Sequence, residues 1–141
     1  MPQPRFRYRK HFTVEQANRM LPLVRAIVED ICSLGQQIHK LRHRLAQLEE
    51  HAISPCEEHE RLLEELDNNS ARLEDCLREL QSLGVEFKGW EGLVDFPAIL
   101  HGREVFLCWK LGEPEVAHWH DLDAGFAGRQ KLQLPTSQGT M

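Results

Sequence analysis

The sequence predicts an α+β protein in which a long antiparallel two-helix hairpin, of the coiled-coil type, is capped at its base by a small three-stranded antiparallel β-meander. Two long segments carry apolar residues at alternating steps of three and four, the spacing of a helix that packs against another helix. Only a short loop separates these segments, so we expect antiparallel neighbours. After Gly84 the apolar pattern changes to the alternation typical of β-strands.

The first helix is predicted over residues 13–50. Thr13 followed by Gln16 fits a capping box, in which the hydroxyl and the amide satisfy backbone N–H groups at the helix start. Pro22 lies off the core-facing positions, and we expect it to bend the helix without ending it. The core-facing positions form an unbroken apolar seam of Ala17, Met20, Val24, Ile27, Ile31, Leu34, Ile38, Leu41, Leu45 and Leu48.

The second helix is predicted over residues 54–83, with Ser54 as its cap, Pro55 in its first turn and Gly84 as its stop. Its seam consists of His59, Leu63, Leu66, Ser70, Leu73, Leu77 and Leu80. When the two helices lie antiparallel about the short loop, their seams are aligned. A polar seam position such as Ser70 can fix the register of the two helices. The candidate interaction seam of the hairpin consists of Ile38, Leu41, Leu45, Leu66 and Ser70.

The sheet is predicted over residues 93–121. Two apolar runs flank His101 and Gly102, a pair suited to a tight hairpin turn because glycine readily takes positive φ. A second turn at residues 112–115 leads into the third strand. Pro97 is expected to place the first strand at an edge of the sheet, because proline has no N–H for a central ladder.

The lengths of these two turns determine which side chains share a face of the sheet. They place His118 and His120 on the apolar face that covers the helices, and Cys108 on the reverse face. Residues 122–131 are predicted to form a glycine-rich turn segment. Residues 132–141 are predicted to be a loose polar tail.

The composition is that of one soluble domain of 141 residues with a net charge of −5. This charge gives no overall field to attract a polyanion, so nucleic acid is an unlikely partner. No apolar run approaches the roughly 20 residues that span a bilayer. Four widely spaced cysteines and no export signal predict free thiols in a cytoplasmic protein. The basic arm of residues 1–12 alternates cations with Phe6 and Tyr8, which leaves single-stranded nucleic acid as a minor alternative.

The runs GLVDFPA, GREVFLCWKLGEPEV and WHDLDAGFAGRQ, with FTVEQANRMLPLV near the start, closely resemble the bacterial proteins grouped as domain of unknown function family 2203. The resemblance covers nearly the whole chain and implies no established activity. It implies that the position of His118 is more often aromatic. It also implies that the family shares Asp95, Cys108, Trp109, Glu113, Glu115, His120, Gly125, Gly128 and Arg129.

The motif H-W-H offers one candidate metal site. Residues two apart on a strand project to the same side, so His118 and His120 could chelate a divalent ion such as zinc. Further ligands would come from Asp121 and Asp123, or from Glu113 and Glu115 in the preceding turn. The alternative is that these histidines only form hydrogen bonds at the rim of the sheet.

A second candidate is a small-anion site formed by His120, Glu113, Glu115 and Arg129, in which the guanidinium would bind the ligand. Its alternative is a structural turn in which Arg129 neutralises a nearby carboxylate. A catalytic role for Cys108 requires a base within reach, and the predicted register places Cys108 and His120 on opposite faces. A structural buried thiol is therefore the favoured interpretation of Cys108.

The leading functional prediction is a non-catalytic helical-hairpin module that binds a protein partner or associates with itself, because a two-helix arm has little core of its own. The alternative is a metal- or small-anion-binding site on the C-terminal sheet centred on His120. An enzyme is the third option, because these residues do not supply a complete set of nucleophile, base and stabilising groups.

Overall fold

The computed structural model describes residues 5–51 and 56–133. The predicted α+β architecture of a helical hairpin with an antiparallel sheet is confirmed, but the sheet in these residues has five strands in the order β1-β2-β3-β4-β5. The two additional strands, β1 and β5, are too short to show a periodic pattern. The elements are α1 (Val14–His51), α2 (Glu57–Ser82), β1 (Glu86–Gly89), β2 (Leu93–Leu100), β3 (Arg103–Lys110), β4 (His118–Asp121) and β5 (Gln130–Lys131).

Helix α1 begins with the predicted capping box. The Thr13 N–H donates to Gln16 Oε1 at 3.0 Å, and the Gln16 N–H donates to Thr13 Oγ1 at 3.0 Å. The helix continues through Pro22 to His51, as expected. Most of the predicted seam is buried, namely Ala17, Val24, Ile27, Ile31, Leu34, Ile38, Leu41 and Leu45.

Helix α2 differs from its prediction in its start and in its seam. Ser54 and Pro55 lie outside the described residues, and the helix begins at Glu57 after an extended Cys56. Gly84 ends the element with a φ of +88°, as predicted. The buried polar residue of α2 is Asn69 rather than Ser70, and the predicted seam residue Leu63 is 41% exposed. The core-facing side of α2 is therefore rotated from the predicted seam in this part of the helix.

The hairpin of β2 and β3 has the predicted turn and register. His101 and Gly102 both have positive φ, at 53° and 78°, which is the geometry of the tight turn that matches the twist of two strands. Val94 lies opposite Trp109, and Phe96 lies opposite Leu107. The face that these residues share packs against the part of α1 between Ala17 and Ile31 and forms the main core.

The register of β4 corrects the predicted faces. His120 lies opposite Phe106 and His118 opposite Cys108, so both histidines share the outer face with the thiol. The prediction was wrong by one residue, and such a slip exchanges the two faces of a strand. Val116 is buried in the core, but β4 begins only at His118, so the alternation of side chains does not continue from Val116 into the strand. The Val116 N–H donates to Asn18 Oδ1 at 2.7 Å.

Pro97 was also wrongly predicted to place β2 at the edge of the sheet. Strand β1 pairs with Leu93, Val94 and Asp95, so this part of β2 has neighbours on both sides. The pairing ends before Pro97, whose carbonyl accepts the Phe12 N–H at 2.7 Å. The N-terminal arm thus takes the place that a longer β1 would occupy, which avoids the missing proline N–H.

The Glu104 carboxylate binds three residues of the arm to the outer face of the sheet. Glu104 accepts the backbone N–H groups of Arg7 at 2.7 Å and Tyr8 at 2.9 Å, and it lies 2.8 Å from His11 Nε2. The Tyr8 ring packs edge-on against Phe106 with a centroid distance of 5.4 Å. Of the two aromatic rings suited to stacking on nucleic acid bases, Tyr8 is therefore packed within the protein, whereas Phe6 is 40% exposed.

Neither of the two described helices is long and apolar enough to cross a membrane.

Candidate metal centre

Three side chains that can bind metal meet on the outer face of the sheet. Asp95 on β2 lies directly opposite Cys108 on β3, and His120 is contributed by β4. Their potential ligand atoms all lie within 4.8 Å of one another. The three residues are only 4%, 1% and 2% exposed, so the cluster is buried in the sheet although it lies on the face opposite the helices.

The orientation of the His120 ring is determined by hydrogen bonds on both nitrogens. Nδ1 lies 2.7 Å from the carbonyl oxygen of Asp121. Because a carbonyl oxygen only accepts, Nδ1 carries a hydrogen. Nε2 is thereby directed to Asp95 Oδ1 at 3.0 Å. The Phe106 ring packs edge-on against the imidazole at 5.5 Å and restricts its rotation.

Burial makes negative charge unfavourable in this cluster. It raises the pKa of the Asp95 carboxyl above its usual value, and the neighbouring His120 opposes this effect. Burial also raises the pKa of the Cys108 thiol to about 12, with a further contribution from Asp95 and an opposing one from Arg129. Without a cation, the thiol is therefore protonated at neutral pH.

A cavity of about 240 Å³ opens onto the three side chains. Besides the cluster, its walls include Leu93, Leu122 and Phe126, with Lys88 from β1. The cluster therefore forms part of the wall of a cavity, although its three side chains are almost fully buried.

The cluster has the chemistry of a metal centre rather than of a catalytic thiol. Carboxylate, thiolate and imidazole are the usual ligands of zinc. Ligand atoms bound to one zinc ion at about 2.0–2.3 Å lie roughly 3.5 Å from each other, which small side-chain shifts would achieve here. A nucleophilic cysteine needs a lowered pKa, whereas the pKa of Cys108 is raised and His120 Nε2 is hydrogen-bonded to Asp95.

The four residues predicted to bind an anion do not lie together in the structure. Arg129 Nη2 donates to Glu113 Oε1 at 2.8 Å, and the Lys110 N–H donates to the same atom at 2.9 Å. Burial raises the pKa of Glu113, but the hydrogen bonds from Arg129 and Lys110 outweigh it and the net pKa is lowered. Glu115 is exposed in the loop. The structure thus brings Glu113 and Arg129 together without His120.

The predicted metal ligands are likewise dispersed. His118 Nδ1 lies 3.9 Å from Glu113 Oε2, outside the cluster around His120. The Asp121 carboxylate forms an ion pair with Arg103. Asp123 lies 3.5 Å from Arg7 of the N-terminal arm. Of the predicted metal ligands, the structure therefore places only His120 in the three-residue cluster, and Asp121 contributes its carbonyl oxygen rather than its carboxylate.

Sequence reasoning did not identify Asp95 as a candidate ligand and set Cys108 aside. Both omissions follow from the wrong β4 register, which separated Cys108 from His120. The family resemblance contained the signal that could have corrected it, since it implies that Asp95, Cys108 and His120 are all shared positions.

The family model of DUF2203, described as an uncharacterized conserved protein, matches residues 10–132. This range includes both helices and all five described strands. No curated protein and no solved structure matches the chain.

Proposed function

We propose that this chain, which belongs to the DUF2203 family of uncharacterized conserved proteins, binds a divalent transition-metal ion through Asp95, Cys108 and His120. Zinc is the ion that best matches this combination of oxygen, sulfur and nitrogen ligands. The observation that carries the proposal is the convergence of three buried ligand side chains within 4.8 Å beside an accessible cavity.

Charge balance supports a divalent ion. Asp95 as carboxylate and Cys108 as thiolate would together carry two negative charges, which burial alone strongly disfavours. A divalent cation neutralises both charges and lowers the pKa of a coordinated thiol enough to deprotonate it. The raised pKa of Cys108 therefore describes the metal-free cluster, in which the proton takes the place of the cation.

The environment of His120 supports the same proposal. A histidine that binds metal through one ring nitrogen usually donates its other N–H to a carbonyl or carboxylate. His120 Nδ1–H makes this hydrogen bond to the Asp121 carbonyl at 2.7 Å, which leaves Nε2 directed into the cluster. The competing interpretation is a structural hydrogen-bond network in which Asp95 and His120 share a proton. The two interpretations predict different metal contents for the purified protein.

Protein produced without an affinity tag in zinc-supplemented medium is expected to contain about one zinc ion per chain, because residues 5–51 and 56–133 form one three-ligand centre. His120→Ala is expected to lose it, since only two ligands remain. Elemental analysis of the purified proteins measures this directly. His118→Ala is the matched control, because this histidine lies on the same strand and face but outside the cluster. A metal-free wild type that also fails to take up added zinc would rule out the proposal.

We also propose that the hairpin binds a second copy of this chain. A groove of about 690 Å³ lies along the hairpin between α1, α2 and the turn that carries Trp90. The Trp90 side chain is 57% exposed and rests on Gly35, where a Cβ would lie 2.7 Å from the ring. Leu73 and Leu77 add apolar surface to the groove. Together these side chains form an uncovered apolar surface that suits a protein contact.

Charge complementarity favours a second copy as the occupant. Helix α2 carries nine carboxylates and three arginines, a net charge of −6. The neighbouring part of α1 is basic, with Lys40, Arg42 and Arg44. Two copies related by a twofold axis can place the basic segment of each against the acidic helix of the other.

The candidate interaction seam has a different role in this arrangement. Ile38, Leu41 and Leu45 are buried between the two helices of one chain, while Leu66 and Ser70 are half-buried. Charged substitutions of the buried residues would unfold the arm whether or not a partner exists. Substitutions in the groove therefore give the more informative test.

In sedimentation analysis, the wild type is expected to show about twice the chain mass of 16.4 kDa, and Trp90→Ser is expected to shift it to the monomer. High salt should weaken the dimer, because exposed charge pairs are screened. Leu23→Ser, at a position 47% exposed on α1 outside the groove, is the matched control and should remain dimeric. A wild type that sediments as a monomer at all concentrations would exclude this second role.

A further inference from the structure

The cavity beside the three-residue cluster has the features of a ligand site in its own right. The cluster supplies three protein ligands, and a zinc ion with three protein ligands keeps one position for water or another ligand, as in catalytic rather than structural sites. The cavity of about 240 Å³ is lined by all three of these residues. With about 30 Å³ per water molecule in the liquid, this volume corresponds to roughly eight water molecules.

The walls of the cavity combine an apolar surface with one cation. Leu93, Leu122 and Phe126 supply the apolar surface. Lys88 on β1 lines the cavity, and its ammonium lies 5.1 Å from the Phe106 ring centroid. The ammonium also forms an ion pair with Glu86 at 2.9 Å.

Phe126 lies at the rim of the cavity, and two cations lie close to its ring. The Lys110 ammonium is 5.5 Å and the Arg129 guanidinium 4.7 Å from its ring centroid. Its side chain is 41% exposed although it borders the cavity. A ligand with an apolar body would cover this ring, and the burial of apolar surface would increase the affinity of the cavity for that ligand.

We propose that this cavity binds a small monocarboxylate with a short apolar body, and the proposal rests on the metal-binding function proposed above. The carboxylate occupies the fourth position on the metal and pairs with Lys88, while the apolar body packs on Leu93, Leu122 and Phe126. With Asp95 and Cys108 ionised, the metal centre is neutral, so the bound carboxylate adds one negative charge. Lys88, which also pairs with Glu86, is the cation in the cavity wall. Nucleotides and other large polyanions exceed the volume.

The test uses the full chain loaded with Co²⁺, whose visible spectrum reports changes in metal ligands. Titration with benzoate is expected to give a saturable spectral change, with acetate at least tenfold weaker because it lacks the apolar body. Benzamide, the neutral amide of the same acid, should not produce the change. Lys88→Met is expected to weaken benzoate at least tenfold while the Co²⁺ affinity and the ligand-free spectrum stay the same.

Phe126→Ala is the second variant, and it is expected to weaken benzoate but leave acetate unchanged. Both positions are exposed or half-exposed, so neither substitution removes a buried core residue. A chain that binds Co²⁺ with a spectrum unaffected by either acid would overturn the carboxylate site and leave the metal proposal standing. Equal benzoate affinity in wild type and Lys88→Met would overturn the proposed ligand pairing. Failure to bind Co²⁺ or Zn²⁺ at all would overturn both proposals.

Discussion

Replacing Trp109 by alanine is expected to lower the free energy of unfolding by about 3–5 kcal/mol, the usual loss for a large aromatic residue in a core. The Trp109 side chain is fully buried at 0% exposure and lies opposite Val94 in the face that covers the helices. Its indole Nε1–H also donates to the Glu113 carbonyl at 3.0 Å. The substitution therefore leaves a cavity and removes a hydrogen bond that holds the β3–β4 loop.

Urea unfolding followed by circular dichroism measures the loss for Trp109→Ala. Trp109→Phe separates the two causes, because it keeps most of the apolar volume but removes the indole donor. Leu23→Ala is the exposed control at 47% exposure, and it should change the stability by no more than about 0.5 kcal/mol. A loss below about 1 kcal/mol for Trp109→Ala would mean that this residue does not anchor the core.

Glu104→Ala is expected to cost about 3 kcal/mol and to release the N-terminal arm from the sheet, since hydrogen bonds to a charged group contribute roughly 1.5–3 kcal/mol each and are not additive. The Glu104 carboxylate is 9% exposed and bonds to the Arg7 and Tyr8 N–H groups as well as to His11. Calorimetric melting measures the stability loss. Amide hydrogen exchange of residues 5–12 measures the release.

The pH dependence of this contact has a definite sign. Burial raises the pKa of Glu104, but the hydrogen bonds from His11, Arg7 and Tyr8 outweigh it, and the net pKa is lowered from the usual 4.5. A lowered pKa in the folded state means that the carboxylate stabilises the protein above its unfolded pKa and loses this contribution as the pH falls through the folded pKa. The stability difference between wild type and Glu104→Gln should therefore shrink in acid.

Glu115→Gln is the matched control for this titration, because its carboxyl is exposed in the β3–β4 loop. It is expected to change stability by no more than about 0.5 kcal/mol at any pH. A difference between wild type and Glu104→Gln that stayed constant down to low pH would show that the carboxylate charge does not hold the arm.

Elements governed by contacts close in sequence were predictable. The capping box of Thr13 and Gln16 spans one helical turn, and its two hydrogen bonds form as expected. The turn at His101 and Gly102 joins adjacent strands, so its two residues determine the whole register of β2 against β3. The short strands β1 and β5 escaped prediction because two or four residues cannot establish a period.

The candidate metal centre was less predictable because it depends on strand register beyond a loop. The β3–β4 loop is held by the bond from Trp109 to the Glu113 carbonyl and by the bond from the Val116 N–H to Asn18 on α1. The second contact joins residues far apart in the chain. The observed pairing of β4 differs by one residue from the predicted pairing and places His120 on the same face as Cys108.

The sequence alone determined the helical hairpin, the position of the first β-turn and the apolar face that covers the helices, because each follows from a repeating local pattern. It also singled out His120 as the centre of a candidate site. Only the tertiary structure gave His120 its neighbours Asp95 and Cys108, whose ligand atoms lie within 4.8 Å. The physical reason is that side chains alternate along a strand, so one residue of loop length decides which groups meet.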